Sequence, residues 1–317
     1  MADSILVTGA AGFVGGHLID RLLESGSPIV GWYRPGSDTS ALRSGLEWMA
    51  VEMLDRDAVA NAVTAVSPSE VYHLAGSAHV AQSWQFVFDT YQTNVMATHH
   101  LLSALSARPT DTRVLITCSA TVYKAQDTPL TEDSPLQPQS PYATSKLAQE
   151  LLAAHVHRDE GLPIVIARSF NHTGPGQDHS YVASGIARQI ACIEAGQQEP
   201  ILRMGNLDPQ RDLSDVRDVV RAYEAMMERA APGRPYNVCS GRAMSIRSLV
   251  ETFVTRARVK VDVVQDPSRF RPADAPVLVG SHHRLTSETG WQPEIPLTQT
   301  VDDLLTYWRG RIHHQPS

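Results

Sequence analysis

The chain has 317 residues, of which 42% are hydrophobic and 19% charged, and its formal net charge is −7. This composition is typical of a globular protein with one large domain, or with a large domain and a smaller one, and the mildly acidic balance argues against a nucleic-acid partner. Three scattered cysteines suggest neither a disulfide framework nor a metal site, so we expect no metal. No basic leader and no bilayer-spanning apolar run is evident, so we expect a cytoplasmic protein without membrane contact.

The opening of the chain predicts a strand, a glycine-rich loop and a helix. Residues 5–8 are apolar or β-branched, and Gly9, Gly12 and Gly15 follow before an apolar helical face. The N–H groups at such a helix start form a ready site for a pyrophosphate. In that site Gly9 permits the tight turn, Gly12 lets backbone approach a phosphate, and Gly15 lets the helix pack closely on the strand. An ordinary strand-to-helix turn is the alternative.

The next part of the chain alternates strands with helices. We predict strands at 28–33, 46–51, 70–76, 113–119 and 163–169, and helices at 55–66, 84–105, from 141 onwards and at 215–228. Near-continuous apolar strands separated by helices are typical of a parallel sheet covered on both faces. The sequence therefore predicts an α/β fold of the Rossmann type, doubly wound, with a smaller α/β lobe towards the carboxyl terminus. Ligands of such sheets bind at the carboxyl ends of the strands.

The end of the second predicted strand indicates which dinucleotide is bound. Sites that prefer NAD usually place an acid there to hold the ribose hydroxyls, whereas this chain has Arg34 and Ser37. These side chains suit a 2′-phosphate, which favours NADP(H) and leaves NAD(H) possible. A solvated loop arginine is the alternative interpretation of Arg34.

A tyrosine and a lysine share one face of the helix that begins at Pro141. Tyr142 and Lys146 are four residues apart, which places them side by side on a helix. An ammonium near a phenol favours the phenolate, so we expect the pKa of Tyr142 to lie below its usual value near 10. Such a pair can exchange protons near neutrality.

The glycine loop, residues 119–123 (Ser-Ala-Thr-Val-Tyr) and the Tyr142-x-x-x-Lys146 pair resemble the extended short-chain dehydrogenase/reductases that act on nucleotide-activated sugars. The resemblance implies that Ser119, Tyr142 and Lys146 are catalytic, assisted by Thr121. Ser119 and Tyr142 would bond the reacting sugar oxygen, and Lys146 would hold the nicotinamide ribose. The cofactor-binding residues that it implies are Gly9, Ala11, Gly12, Phe13, Val14, Arg34, Glu52, Met53, Leu74, Ala75, Gly76, Asn94, Tyr142 and Lys146.

Motifs further along the chain resemble the branch that handles GDP-mannose derivatives. They lie at 171–177, 205–212 and 266–274 and are most similar to those of GDP-4-keto-6-deoxy-D-mannose reductases. The resemblance implies a GDP-sugar substrate, a dinucleotide-binding domain at 1–170 with parts of 212–240, and a sugar-nucleotide lobe at 171–211 and 241–317. The substrate-binding residues that it implies are Ser119, Asn171, Arg188, Arg211, Arg271 and Asp274.

The chemistry of the site separates the reactions of this branch. A GDP-mannose 4,6-dehydratase needs a carboxylate base two residues after the catalytic hydroxyl, and that position is Thr121, with no acid from 119 to 126. The sequence therefore favours reduction of the C4 keto group of GDP-4-keto-6-deoxy-D-mannose by NAD(P)H. The product would be GDP-D-rhamnose or its C4 epimer, GDP-6-deoxy-D-talose. A 4-epimerase of the UDP-galactose type stays open, as does a catalytically retired NADP-binding regulator.

The helices at 84–105 and 142–157 carry more apolar surface than one sheet face needs. Members of the family pair these helices, so the resemblance implies a homodimer. The last residues, 309–317, are predicted to be a frayed tail.

Overall fold

The computed structural model describes residues 4–39, 42–108, 111–269 and 276–313. In chain order its strands are β1 (Ile5–Thr8), β2 (Ile29–Tyr33), β3 (Glu47–Ala50), β4 (Glu70–His73), β5 (Arg113–Ser119), β6 (Ile164–Ser169), β7 (Asn171–Thr173), β8 (Ile201–Met204), β9 (Gln210–Asp215), β10 (Pro235–Val238), β11 (Ala243–Ser245), β12 (Asp262–Gln265) and β13 (Val277–Leu278). The α-helices are α1 (Phe13–Leu23), α2 (Arg56–Val66), α3 (Val87–Tyr91), α4 (Ala97–Ser106), α5 (Pro141–Glu160), α6 (Val182–Glu194), α7 (Val216–Arg229), α8 (Ile246–Val254), α9 (His283–Thr289) and α10 (Leu297–His313).

Within the described ranges, seven parallel strands form the main sheet in the order β10-β6-β5-β4-β1-β2-β3. The order reverses at β1, which lies between β2 and β4, and such a reversal opens a crevice at the carboxyl ends of the strands. The predicted doubly wound α/β fold is thereby confirmed, and the predicted strands of this sheet are found within a few residues of their expected bounds.

Both faces of the main sheet are covered by helices, because side chains alternate along each strand. On β5, Val114 and Ile116 join a buried cluster with residues of α2, α4 and α5, whereas Leu115 joins a cluster with residues of α1 and α7 on the opposite face. Local signals fix where these helices begin. Asp55 accepts the N–H groups of Asp57 and Ala58 at 3.0 Å ahead of α2.

The remaining strands form a second lobe. β9 pairs with β7, β11 and β13, and β8 pairs with β12. Helices α6, α8 and α10 pack over these strands around a third buried cluster. One segment of the predicted lobe at 241–317 also contacts the main sheet. Leu285 of α9 and the following Trp291 pack into the core of the main sheet beside α7, because the segment returns to cover β10. The domain bounds stay a prediction.

The helix predicted at 84–105 is interrupted twice, so that prediction is only partly right. Gln82–Trp84 form a separate short 3₁₀ turn, and the main helix starts at α3. Between α3 and α4 the chain adopts a π-helical turn at Gln92–Met96. A π turn inserts one residue into the helical ladder without disturbing the apolar pattern much, so periodicity does not reveal it. Such turns are often found at functional sites.

The frayed tail predicted from residue 309 is wrong for residues 309–313. Helix α10 runs through them, Arg309 pairs with Glu194 of α6 through two contacts of 2.7 Å, and Ile312 packs against α6. The polar sequence hides these contacts because they are made with a distant helix; residues 314–317 lie outside the described ranges. None of the helices in the described part of the chain combines the length and apolar character that crossing a bilayer requires.

Candidate active site

The glycine loop connects β1 to α1 at the floor of the crevice. Gly9 has a φ of +67°, and a Cβ there would lie 2.8 Å from the backbone nitrogen of Ala75. A Cβ at Gly15 would collide with the Gly9 carbonyl oxygen and lie 2.8 Å from the Cα of Ala10. Glycine is therefore needed at both positions, for the turn at Gly9 and for the close approach of α1 at Gly15.

The outer side of this loop fits the pyrophosphate of a dinucleotide. Gly12 precedes α1 and provides no side-chain cap, so the first N–H groups of the helix remain available to an anion. Ala11 and Gly12 are exposed, and a Cβ at Gly12 would meet only the Gly9 carbonyl oxygen, at 3.1 Å. A larger side chain would fill the space that a phosphate needs.

Gly15→Ala is expected to destabilise the fold by about 1–3 kcal/mol, because the new methyl group collides with backbone that cannot rotate away. Dinucleotide affinity should fall with it, since the loop must move. Urea unfolding and a fluorescence titration with NADPH measure the two effects. Gly310→Ala in α10 is the matched control: nothing lies within 4 Å of its Cβ position, so stability should stay equal or rise by up to about 1 kcal/mol.

A cluster of hydroxyl groups lies at the carboxyl end of β5. The Oγ atom of Ser119 is 2.9 Å from Oγ1 of Thr121 and accepts the Thr121 N–H at 3.2 Å. The hydroxyl of Tyr142, in the first turn of α5, lies beside Ser119, and Ser119 acts to lower its pKa. That turn is held by Ser140, which caps the helix, and by Ser83, whose Oγ accepts the Tyr142 N–H at 3.2 Å. The structure thus brings the predicted catalytic hydroxyls together.

The expected lowering of the Tyr142 pKa is wrong for this arrangement of protein groups. Burial raises the pKa of Tyr142 above its ordinary value, and the neighbouring Ser119 opposes this effect only in part. Lys146 is not among the main causes of the shift; its Nζ atom donates to Oε1 of Gln149 at 2.5 Å, one turn further along α5. Tyr142 is therefore a neutral phenol at physiological pH, which suits a proton donor.

Asn94, predicted to bind the cofactor, is completely buried and holds protein segments together. Its Oδ1 accepts the N–H of Ser77 at 2.7 Å, and its Nδ2 donates to Oγ of Ser145 at 2.9 Å. It thereby ties the loop after β4, which contains Leu74, Ala75 and Gly76, to helix α5. A side chain with no exposed surface acts on a cofactor only through the groups that it positions.

The other predicted cofactor residues lie around the rim of the crevice. Arg34 is exposed after β2, in a turn closed by the Ser37 N–H and the Arg34 carbonyl at 3.1 Å. Glu52 follows β3 and accepts the N–H of Leu54 at 3.2 Å, and the carbonyl of Met53 lies 3.1 Å from Nδ1 of His100. The carboxylate of Glu52 is thus tied to its own loop.

Three predicted substrate residues line one cavity of about 720 Å³ in the second lobe, against α6 and β8: Asn171, Arg188 and Arg211. Arg203 also lines it, so three guanidinium groups face one space, which suits a diphosphate. The Arg188 guanidinium stacks 6.0 Å from the ring centre of Trp308 in α10. Arg271 and Asp274 lie outside the described residues.

The two halves of the site are packed together. The rings of Phe13 and His172 stack with centroids 6.3 Å apart, and Nε2 of His17 lies 2.8 Å from the carbonyl oxygen of Pro175. The first turns of α1 therefore pack against β7 and the loop that follows it. The cavity lies beside the hydroxyl cluster, because Ser119, Tyr142 and Lys146 do not line it. Tyr181 lines the cavity and also acts on the pKa of Tyr142, so it lies between the cavity and the cluster.

Sequence reasoning missed Tyr181, Arg203 and Gln149. Arg203 could have been found, because it is the exposed residue between two buried residues of β8. Gln149 follows Lys146 by three residues and shares its helix face, which is a weak signal. Nothing in the sequence distinguishes Tyr181 from other loop tyrosines.

Comparison with known proteins agrees with this geometry. A family model described as GDP-mannose 4,6 dehydratase matches residues 6–304. The GDP-6-deoxy-D-mannose reductase of Pseudomonas aeruginosa is 36% identical over 318 residues, covering 99% of this chain and 100% of the relative. The structure of RMD from Pseudomonas aeruginosa complexed with NADPH has a TM-score of 0.85 and 35% identity, covering 98% of this chain and 99% of that chain.

The fold extends to more distant proteins. A UDP-glucose 4-epimerase from Thermotoga maritima, solved with UDP-glucose, has a TM-score of 0.88 at 23% identity, over 98% of this chain and 99% of that chain. Because the family model matches residues 6–304 and a full-length relative is 36% identical, the chain belongs to the GDP-mannose 4,6-dehydratase family of extended short-chain dehydrogenase/reductases.

Proposed function

We propose that this protein is an NAD(P)H-dependent oxidoreductase that reduces the C4 keto group of GDP-4-keto-6-deoxy-D-mannose. The product is GDP-D-rhamnose or its C4 epimer, GDP-6-deoxy-D-talose. One observation carries the proposal: a neutral phenol, Tyr142, lies beside Ser119, and a second hydroxyl, Thr121, is 2.9 Å from Ser119 at the position where the dehydratases of the family carry a carboxylate. Full-length similarity to a GDP-6-deoxy-D-mannose reductase supports the substrate class.

The side chains of this site have separate tasks in the proposed reaction. A bound reduced nicotinamide supplies the hydride. Ser119 and Tyr142 hydrogen-bond the carbonyl oxygen of the sugar, and Tyr142 gives its proton to that oxygen as negative charge develops. Thr121, 2.9 Å from Ser119, fixes the orientation of the serine hydroxyl. We assign Lys146 to the ribose of the cofactor, as the family resemblance implies.

The segment that carries the reacting hydroxyls supports reduction over elimination. Residues 119–126 contain no acid. In the neighbouring cavity Glu199 is the sole carboxylate among the described lining residues, and it faces Arg203 at 3.7 Å. A 4,6-dehydratase must take a proton from C5, which needs a carboxylate beside the reacting hydroxyls. A ketone reduction needs only the hydride and the proton of Tyr142.

Incubation with NADPH and GDP-4-keto-6-deoxy-D-mannose tests this proposal. We expect NADPH fluorescence to decay with formation of one product, whose configuration follows from the proton coupling between H3 and H4: large when both are axial, as in the rhamnose, and small in the talose. Conversion of GDP-mannose to the keto sugar would indicate a dehydratase. Interconversion of UDP-glucose and UDP-galactose without net NADPH consumption would indicate a 4-epimerase, and binding of NADPH without turnover a regulator.

We further propose that NADPH is preferred over NADH. Arg34 is the exposed cation directly after β2, and residues 33–37 contain no acid that would repel a 2′-phosphate. Arg34→Gln is expected to weaken NADPH binding about ten- to a hundredfold, as the loss of a charge-assisted hydrogen bond predicts, and to leave NADH binding unchanged. Fluorescence titration with both cofactors measures this. Arg229→Gln, an exposed arginine at the end of α7, is the control; equal losses for both cofactors would contradict the assignment.

We also propose a homodimer formed through α3, α4 and α5. Large apolar side chains are exposed there: Phe88 is 72% exposed, Leu151 60% and Trp84 58%. An apolar surface of this kind commonly marks a protein interface. The three buried free thiols support a reducing, cytoplasmic setting for the enzyme.

Introducing charge on this surface is expected to separate the protomers. In the double variant Phe88→Glu/Leu151→Glu, two carboxylates per copy would have to be buried without a partner. Light scattering after size-exclusion chromatography should show a dimer for the unmodified chain and a monomer for the variant. Val259→Glu, at an exposed apolar residue of the second lobe, is the control and should stay dimeric. A monomeric unmodified chain would overturn the proposal.

A further inference from the structure

A chain of polar side chains crosses the interior from the end of β1 to helix α5. Thr8, His73, Thr98 and Gln149 have no exposed surface, and Lys146 is 5% exposed. The successive heavy-atom distances are 2.8 Å from Thr8 Oγ1 to His73 Nδ1, 2.8 Å from His73 Nε2 to Thr98 Oγ1, 2.7 Å from Thr98 Oγ1 to Gln149 Nε2, and 2.5 Å from Gln149 Oε1 to Lys146 Nζ. We call these five residues the buried polar chain.

The direction of every hydrogen bond in the buried polar chain follows from its neighbours. The Thr98 hydroxyl donates to the Asn94 carbonyl oxygen in the π-helical turn, at 2.7 Å, so its oxygen can only accept from His73 and Gln149. Nε2 of His73 therefore carries the proton, and Nδ1 accepts from the Thr8 hydroxyl. Burial lowers the pKa of His73 to about 3, with Lys146 acting in the same direction, so the imidazole is neutral.

Orientation of Gln149 is fixed by the same reasoning. Its amide nitrogen must donate to Thr98, which turns its carbonyl oxygen towards Lys146. Thr8, at the other end, also accepts the N–H of Ala75 at 3.2 Å and directly precedes Gly9. The buried polar chain thus connects the glycine loop with the lysine of the catalytic helix through neutral groups alone.

The ionisable groups around Lys146 do not hold its ammonium in place. His73 from β4 is neutral, and Cys118 from β5 is a buried thiol whose pKa is raised by burial. On α5, Tyr142 is a neutral phenol, and Glu150 is paired with Arg168 of β6 at 2.5 Å. The ionisable side chains of α3 and α4 are exposed or only partly buried: Asp89, Tyr91, His99 and His100.

We propose that Gln149 is a positioning residue that fixes the Lys146 ammonium, and that it is held in turn by the buried polar chain anchored at Thr8. The ammonium then has one place in the crevice, set by the same strand that sets the glycine loop. If the ammonium were displaced, its positive charge would be retained, but it would not contact a cofactor that the glycine loop holds. The positioning of Lys146 does not depend on the proposed function; only its effect on catalysis rests on that proposal.

Lysine NMR tests the proposal without any turnover, because the chain contains only three lysines: Lys124, Lys146 and Lys260. Protein labelled with ¹³C at the lysine ε-carbons gives three signals, with the exposed Lys124 and Lys260 as internal references. Burial lowers the pKa of Lys146 to about 8, so its signal titrates in an accessible range. Gln149→Met keeps the length of the side chain and removes the acceptor; Gln149→Glu replaces the acceptor by a charge.

Opposite shifts are expected from the two variants. In Gln149→Met the midpoint of the Lys146 titration should move to lower pH, because the ammonium loses its acceptor. In Gln149→Glu it should move to higher pH by about one to three pH units, since an opposite charge within hydrogen-bond distance has that effect. Thr98→Val should act like Gln149→Met, and the double variant should shift the midpoint no further than either single change. A merely structural role would not reverse the sign between the two Gln149 variants.

A second readout is the affinity for NADPH, which should fall about tenfold in Gln149→Met, as loss of a hydrogen bond to a charged group predicts. Gln177→Leu is the control: it removes another buried glutamine, held by Thr173 at 2.6 Å, and should leave the Lys146 titration unchanged. An unshifted Lys146 midpoint in both Gln149 variants, with thermal melts showing folded protein, would overturn the proposal. An unshifted midpoint would not contradict the proposed reduction of the sugar. Conversely, if the protein did not reduce the sugar, the Lys146 titration would still test the role of Gln149.

Discussion

Replacing Tyr142 with phenylalanine is expected to lower the rate of sugar reduction by about 10²–10⁴-fold, the range that general acid catalysis commonly supplies. The substitution removes one oxygen and keeps the ring, whose hydroxyl lies beside Ser119 in the unmodified site. NADPH binding should change little, because the pyrophosphate site is built from backbone N–H groups of the glycine loop. Turnover is followed by NADPH oxidation with the keto sugar, and binding by fluorescence.

Tyr307→Phe provides the matched control for that variant. Among the described residues the Tyr307 hydroxyl accepts a single contact, from Arg311 at 3.0 Å on the surface of α10, and it does not line the cavity, so activity should be unchanged. If Tyr142→Phe kept full turnover, the proton would have to come from another group, and the assignment of the phenol would be rejected.

Loss of the carboxylate at Glu150 is expected to have the largest effect on stability, about 3–5 kcal/mol. Glu150 holds Arg168 through contacts of 2.5 and 2.9 Å, and both side chains are almost completely buried. Glu150→Leu would leave the guanidinium buried, held only by the hydroxyl of Tyr123 and the carbonyl of Glu132, at 2.8 and 2.9 Å. Denaturant unfolding measures the loss.

The double variant Glu150→Leu/Arg168→Met should regain part of this stability, because a pair replaced on both sides leaves no buried charge. Glu160→Leu, at an exposed site on the same helix, should change the free energy of unfolding by no more than about 0.5 kcal/mol. Additive losses in the double variant would show that Arg168 does not depend on Glu150. The pair also matters for the site, since it fixes α5, which carries Tyr142, against β6.

The sheet and the hydroxyl cluster could be predicted because their signals are local. Apolar strands, the spacing of Gly9, Gly12 and Gly15, and the four-residue separation of Tyr142 and Lys146 can each be recognised within a short window. Ser119 ends β5 at the carboxyl edge of the sheet, and Tyr142 lies in the first turn of the next helix, α5, which begins at that edge. Fold and hydroxyl cluster therefore follow from patterns of a few residues each.

Properties that depend on distant residues could not be predicted. The pKa of Tyr142 depends on how deeply α5 is buried, which its spacing from Lys146 does not reveal. Gln149 acquires its orientation from Thr98, 51 residues away, whose hydroxyl donates to the Asn94 carbonyl oxygen in the π-helical turn. The order of α10 beyond residue 308 likewise depends on Glu194 of α6. In each case the controlling partner lies far along the chain.

The path of the backbone between the two lobes has a consequence for exchanging specificity between relatives. The chain leaves the main sheet after β6, builds β7 to β9 of the second lobe, returns for α7 and β10, and leaves again for β11. A hybrid gene with a single crossover would therefore combine β7 to β9 of one parent with the part of the second lobe from β11 onwards of the other parent. Transplanting the nucleotide preference of another family member requires two inserts, joined at the ends of β6 and β9 and after β10, and the second must preserve the packing of α9 and Trp291 against the main sheet.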